Sequence, residues 1–370
     1  MLEAQRALQD QLERNTMRFF VRDLEPLLDD ARAELARFLG ADPDDLAFVS
    51  NATAGVNTVL RSLDWAEGDE LLVTDHAYNA CRNALEFVAA RSGARVIVAR
   101  VPFPISGPEE VTAAILDATT PRTKLALIDH VTSPTALVFP IEAIVRALRD
   151  RGIDTLVDGA HAPGMLPLGL SDLGAAYYTG NCHKWLCAPK GSAFLHVRRD
   201  KQAEIRPLVI SHGANADRTS RSRFRLELDW VGTTDPTPLL CIPHALRFLG
   251  SVWPGGHEAL MSRNRALAVR AQVALSAASG RPVPAPPNMV GSIATVVLPS
   301  GAAHPPRSAF DPEPLQEALA AQDRVEAPVF SWGEGERRLR LLRVSAHAYT
   351  RWSDVQRLLE VLPRRLGVTA

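Results

Sequence analysis

Lysine is nearly missing from this chain. Only Lys124, Lys184, Lys190 and Lys201 occur, so 37 of the 41 basic residues are arginines. A mechanism that needs a covalently bonding amine therefore has few candidates. Cysteine is just as scarce: Cys81, Cys182, Cys187 and Cys241. None has the CxxC spacing of a metal site, so no metal is expected, and the four are expected to pack as small buried hydrophobes. No apolar run reaches about 18 residues, which excludes a membrane-spanning helix. The opening MLEAQRALQD lacks the basic patch and apolar core of a secretory signal, so a cytoplasmic location is expected. Net charge is missing as well, at a formal −1. Such a chain has no field to draw it to nucleic acid or an anionic membrane, and neither is an expected partner.

What is present is an ordinary globular composition, 46% hydrophobic and 22% charged over 370 residues. That length holds one large and one smaller domain. The apolar spacing predicts helix over 1–39, with a break near Pro26. Strands are expected at Leu46–Val49, Glu70–Thr74, Ala94–Val101, Lys124–Val131, Asp154–Val157, Ala175–Tyr178 and Ala193–Val197. Helices are expected between many of them, from Ser50, over Tyr78–Arg91, over Pro108–Ala118 and over Ile141–Arg151. Apolar strands alternating with helices predict an α/β fold, with a mostly parallel seven-stranded sheet between helices. Beyond residue 200 the pattern loosens. Arg218–Arg225 reads as a loop, and Pro243–Val252 and Glu258–Ser276 as helices. Strands at Ser292–Leu298, Val325–Phe330 and Arg338–Ser345, with helices at Asp311–Gln322 and Ser353–Leu362, predict a small α+β domain. The expected divisions are 1–20, an N-terminal helical segment; 21–250, the large domain; and 251–370, the small C-terminal domain.

In a parallel sheet, ligands sit beyond the carboxyl ends of the strands. Asn51, Asp75, Ser133, Asp158 and Asn181 all fall at or just past expected strand ends. Ser50-Asn51-Ala52-Thr53 follows a strand and opens a helix, which suits an anion, although an ordinary helix cap fits equally. The stretch from Asp154 to Lys190 is the most specific. Asp158 ends one apolar run, His161 follows, and Lys184 comes 26 positions after Asp158, past the next run. An acid at one strand end and a lysine beyond the next is the pairing that pyridoxal 5'-phosphate (PLP) chemistry needs: the lysine bonds the aldehyde and the acid pairs with the protonated ring nitrogen. Each residue also has a plainer reading, Asp158 as a turn former, Lys184 as a surface lysine, and His161 as a core histidine.

Seven short motifs then resemble the class V aminotransferase family of PLP enzymes, fold type I, and within it the isopenicillin N epimerase-like group. They are Asn51-Ala52-Thr53, Asp75-His76-Ala77-Tyr78-Asn79, His130-Val131-Thr132-Ser133-Pro134, Val157-Asp158-Gly159-Ala160-His161, His183-Lys184-Trp185, Gly232-Thr233-Thr234-Asp235 and Arg343-Val344-Ser345. They stand in family order. The resemblance implies that Lys184 is the Schiff-base lysine, Asp158 the partner of the ring nitrogen, and His161 the contact to the phenolic oxygen. It implies phosphate contacts from Asn51, Ala52, Thr53, Asn181 and His183, and from Thr233 or Thr234 of a second subunit, hence a homodimer. Tyr78 takes the place of the ring that stacks on the cofactor, where many relatives use His. Ser133 stands near the cofactor oxygen, where many have Asn. Arg343 matches the arginine that holds the substrate carboxylate. Relatives usually carry a further N-terminal segment with a Gly-rich turn near the active site; this chain starts at a methionine inside its first expected helix.

The implied activity is reaction at the Cα of an amino-acid-type small molecule. Epimerisation, transamination and C–S cleavage share these motifs. An epimerase needs a second-face partner to Lys184, for which Tyr78, His212 or water are candidates. Cysteine desulfurases need a nucleophilic cysteine on a C-terminal loop, and no cysteine lies beyond Cys241. A degenerate PLP fold used for binding or regulation is the non-enzyme alternative.

Overall fold

The computed structural model describes residues 1–300 and 313–367. The N-terminal part is helix α1 (Leu2–Arg14) and helix α2 (Leu24–Leu39). The chain breaks at Asn15 and widens to a π turn over Phe19–Asp23, not at Pro26 as the sequence suggested. Pro26 lies in the first turn of α2, where a missing N–H costs little.

Strands β1 (Leu46–Val49), β2 (Glu70–Thr74), β3 (Arg95–Ala99), β4 (Thr123–Asp129), β5 (Asp154–Asp158), β6 (Tyr177–Asn181) and β7 (Ala193–Val197) form one seven-stranded sheet, in the order β1-β7-β6-β5-β4-β2-β3. Four neighbouring pairs are parallel, and β7 runs antiparallel to β6 and β1. The sheet is mostly parallel, as its helix-separated strands predict. Successive strand residues face opposite sides. Ala126, Ile128, Val157 and Tyr178 enter one core, while Leu125, Leu127, Leu156 and Tyr177 enter the other. Both faces are covered, which is why the strands read as continuous apolar runs.

Helices α3 (Ala52–Ser62) and α4 (Asn79–Ser92) pack on the second face. Helices α5 (Pro108–Asp117) and α6 (Ile141–Arg149) pack on the first. Arg218–Arg225 is not wholly a loop: Ser222 caps a short helix, α7 (Arg223–Leu228), by accepting the Arg225 N–H. Helices α8 (Ile242–Val252) and α9 (Gly256–Ala278) lead to a three-stranded antiparallel sheet. It consists of β8 (Ile293–Leu298), β9 (Val329–Trp332) and β10 (Leu339–Ser345), in the order β8-β10-β9. Strand β9 starts four residues later than expected and runs two residues past Phe330. Helix α10 (Pro314–Asp323) and helix α11 (Trp352–Leu366) share a core with α9 and this sheet. The helix start expected at Asp311 lies outside the described residues. No described helix is long and apolar enough to cross a membrane.

Candidate active site

The site is built where β1, β4, β5 and β6 end. Asn51 ends the first of these segments and caps α3, its side chain accepting the Ala54 N–H at 2.8 Å. The Ala52 N–H donates to Asn181 Oδ1, also at 2.8 Å. Helix α3 can approach β6 this closely because residue 55 is glycine: a Cβ there would stand 2.2 Å from Thr179 Oγ1. The start of α3 is thereby pinned over the end of β6. Two of its first three N–H groups are already taken, leaving Thr53 with its N–H and hydroxyl at the positive end of the helix. Asn51 and Asn181 thus hold the helix start, and Asp75 is tied to the Val101 N–H at 2.9 Å.

Asp158 is buried at the end of β5, in register with Asp129 at the end of β4. The Cys81 thiol, from α4, donates to Asp158 Oδ2 at 3.1 Å, and the Ala160 N–H donates to Oδ1 at 3.0 Å. Burial and the Asp158 charge push the Cys81 thiol up, so it acts here as a hydrogen-bond donor and not as a nucleophile. Burial, reinforced by Asp158, also drives the Asp129 carboxyl well above the ordinary range. One Asp129 oxygen has no protein partner.

Lys184 lies in the loop joining β6 to β7, half-buried. Its Nζ is 3.1 Å from His161 Nε2, and the Trp185 indole N–H donates to His161 Nδ1 at 3.3 Å. Burial lowers the Lys184 ammonium; Asp158 opposes this and Arg343 adds to it. Burial, Lys184 and Arg343 together hold His161 well below the ordinary imidazole range. Both groups are therefore biased to their neutral forms.

Arg343, on β10, donates through Nη1 to the Ser133 carbonyl at 2.5 Å and contacts the Ser133 hydroxyl at 3.3 Å. Its guanidinium lies 5.9 Å from the Phe330 ring centre. It has no carboxylate partner among the described residues, and burial lowers its pKa. Ser133 thus accepts from Arg343 through both its carbonyl and its hydroxyl oxygen. His183 is held by the Ser192 carbonyl, 2.8 Å from its Nδ1. Tyr78 precedes α4 with its ring exposed. Thr233 and Thr234 are exposed, apart from the Lys184 cluster in hydrogen bonding. They line a cavity of about 340 Å³ with Ser50, Ala54 and Gly191. His212 is exposed in the short turn His212–Asn215.

This geometry collects an amine, an acid, a helix start and an arginine with no carboxylate partner among the described residues, beside the sheet's carboxyl end. The pattern of the class-V aminotransferase family matches residues 11–358. This chain belongs to that family. It is 39% identical to the isopenicillin N epimerase of Amycolatopsis lactamdurans, over 94% of this chain and 87% of that one. It is 36% identical to the isopenicillin N epimerase of Streptomyces clavuligerus, over 95% and 87%. A probable chloroplastic L-cysteine desulfhydrase of Arabidopsis thaliana is 30% identical, over 98% and 79%. Among solved structures, the cystine C–S lyase C-DES in complex with cysteine persulfide superposes with a TM-score of 0.76 at 22% identity, over 98% of this chain and 93% of that one. That likeness shows fold type I.

As a class-V aminotransferase family member the chain is a PLP-dependent enzyme acting on an amino-acid-type substrate. The residues present fit PLP: a lysine biased to the amine, a buried aspartate beyond a strand end, and a helix start with a free N–H. Among the described residues no cluster of His, Cys, Asp and Glu could hold a metal ion. Sequence reasoning missed Cys81, Asp129, Trp185 and His347. Asp129 immediately precedes a quoted motif and Trp185 lies inside one, so position alone marked them. His347 and Cys81 carried no local signal, because their contacts join residues 160 and 77 positions apart.

Proposed function

We propose that this enzyme exchanges the Cα hydrogen of an amino acid or amino-acid-containing substrate, as an isopenicillin N epimerase does. The observation that carries the reading is Arg343: a half-buried guanidinium with no carboxylate partner among the described residues, beside the Lys184–His161 pair and suited to a substrate carboxylate. Bound PLP supplies an electron sink that labilises bonds at Cα. In this reading Lys184 holds the cofactor, then takes and returns the proton at Cα. Asp158, oriented by Cys81 and the Ala160 N–H, holds the proton on the ring nitrogen. Thr53, with the helix start that Asn51 and Asn181 fix through Ala52, receives the phosphate together with His183. His161 donates to the phenolic oxygen, and Tyr78 covers the ring. The opposite face of Cα falls to the Tyr78 hydroxyl or to water; His212 makes no contact with this cluster.

The same proposal includes a homodimer and a cytoplasmic location. Leu208, Val209, Ile210 and Val231 are exposed apolar residues, and Leu208, Val209 and Val231 line the cavity that holds Thr233 and Thr234. Such a patch favours a second copy, whose phosphate site those threonines would reach. Four unpaired cysteines suit a reducing compartment. The two sheets, within 46–197 and 293–345, support a division near residue 250.

The test is incubation of the PLP-loaded enzyme with candidate amino acids in deuterated water. Deuterium at Cα with inversion supports epimerisation. Exchange with full retention counts against it, and release of sulfide from cysteine would move the assignment to C–S cleavage. Lys184→Ala should abolish the yellow colour of covalently bound PLP. Light scattering reads the dimer.

A further inference from the structure

The indole of Trp185 can only donate a hydrogen bond, and it points at His161 Nδ1 from 3.3 Å. A neutral imidazole that accepts at Nδ1 must carry its proton on Nε2. That Nε2 stands 3.1 Å from Lys184 Nζ. If Nε2–H donates, Nζ must accept, and only an unprotonated amine has the lone pair to do so. One indole N–H therefore fixes both the tautomer of His161 and the amine form of Lys184.

Trp185 is held at its backbone and at its ring. Gly164, at φ +83°, lets the loop after His161 pass against the Trp185 backbone; a Cβ there would lie 2.8 Å from the Trp185 carbonyl carbon. From the other side His347, two residues past β10, stacks on the indole at 5.6 Å between ring centres and 22° between planes. His347 Nε2 also lies 3.1 Å from the Trp185 carbonyl oxygen, so its N–H donates there. Arg263 in turn donates to the His347 carbonyl at 2.6 Å.

We propose that Trp185 is a positioning residue that locks His161 in the Nε2–H tautomer, and that His347 transmits this lock from the strand carrying Arg343. His161 then always presents a proton on the side of Lys184, where the cofactor reading of the previous subsection needs a donor; the functional use rests on that reading, the tautomer does not. The arrangement ties the carboxylate-binding strand to the amine through three rings in sequence: His347, Trp185 and His161.

The test is a long-range proton–nitrogen NMR spectrum of the full chain labelled with 15N-histidine, recorded without and with PLP, with His161→Gln to assign the signal. The wild-type protein should show His161 as the Nε2–H tautomer near neutral pH in both states. Trp185→Phe keeps a stacking ring and removes the N–H; it should move the tautomer ratio at least about fivefold towards Nδ1–H, and should shift the pH midpoint of the bound-PLP absorbance. His347→Leu should move the ratio in the same direction by less. A wild-type His161 that is mainly Nδ1–H overturns the proposal, even if the variants do not fold. So does a Trp185→Phe protein with an unchanged tautomer. If the chain binds no PLP but His161 is Nε2–H, the cofactor reading falls and the tautomer lock stands.

Discussion

Asp129 and Asp158 end adjacent parallel strands in register, with Asp158 bonded to Cys81 of α4 and Asp129 facing the Tyr78 N–H at the start of the same helix. Two buried carboxyls this close cannot both ionise easily, and burial together with the Asp158 charge raises the Asp129 carboxyl. A carboxyl raised by folding contributes stability below its unfolded value near 3.9, and that stability is lost as pH rises towards the folded value. Asp129→Asn has no such proton to lose. The PLP-free wild type should therefore weaken relative to Asp129→Asn by up to about 1.4 kcal/mol per pH unit above that value. Urea titrations at pH 5, 6, 7 and 8 measure this. A pH-independent difference would show that Asp129 is already ionised.

Lys184 gives the opposite slope from the same cause. Its ammonium is lowered by burial, so the PLP-free fold loses stability as pH falls from the ordinary lysine value, about 10.4, towards the folded one. Lys184→Met is uncharged at every pH. It should be more stable than the PLP-free wild type at pH 7, and the gap should close as pH rises towards 10. Equal stability at pH 7 would place an ordinary charged lysine at this position.

Much of this was readable from residues 154–190 alone, because strand ends, an acid and a scarce lysine are local features. Continuous apolar runs at β4, β5 and β6 placed the seven-stranded sheet, since each strand is short and buried on both faces. Other features were not local. Asn181 reaches back 129 positions, its Oδ1 accepting the Ala52 N–H while its Nδ2 donors stay available to a phosphate. Ser133 accepts from Arg343, 210 positions away, and keeps its own O–H to donate. Spacing fixes which residues reach a strand end; it does not say how their atoms are then shared between each other and a ligand.

Arg343 is the residue whose substitution should separate binding from chemistry. Lysine keeps the charge but loses the planar fork, and it cannot hold Ser133 and a carboxylate at once. Arg343→Lys should lower kcat/KM about 10–100-fold, mostly through KM, consistent with about 1.5–3 kcal/mol for a hydrogen bond to a charged group. The proton-exchange rate at saturating substrate should change far less. An amide of the same substrate should show little discrimination between the two proteins. A loss confined to kcat would mean that Arg343 serves the reacting atoms and not the carboxylate.

Arg32 anchors the segment that leads to Thr233 and Thr234. It is 1% exposed, lies 5.0 Å from the Phe48 ring centre, and bonds Asp29 at 2.9 Å and also Asp229. Arg225 ties Asp229 at 3.1 Å and Asp44 at 3.0 Å into the same network. Asp229 begins the segment that carries Thr233 and Thr234. Removing one partner of a buried pair leaves the other charge uncompensated, a loss of about 3–5 kcal/mol. Burial already raises the Asp229 carboxyl, and Arg32 is the largest influence opposing that. Arg225 still bonds Asp229, so Arg32→Met should lower stability by less than this amount. Arg32→Met with Asp229→Asn should recover part of it, because the buried charge that lost its largest counter-charge is then gone. If the threonines complete a second subunit's phosphate site, Arg32→Met should also release PLP faster on dilution, and the double variant should not fully restore retention. Unfolding curves with a dilution assay of bound PLP separate the two effects. Full recovery of both in the double variant would leave the network a stabilising device with no part in holding the cofactor.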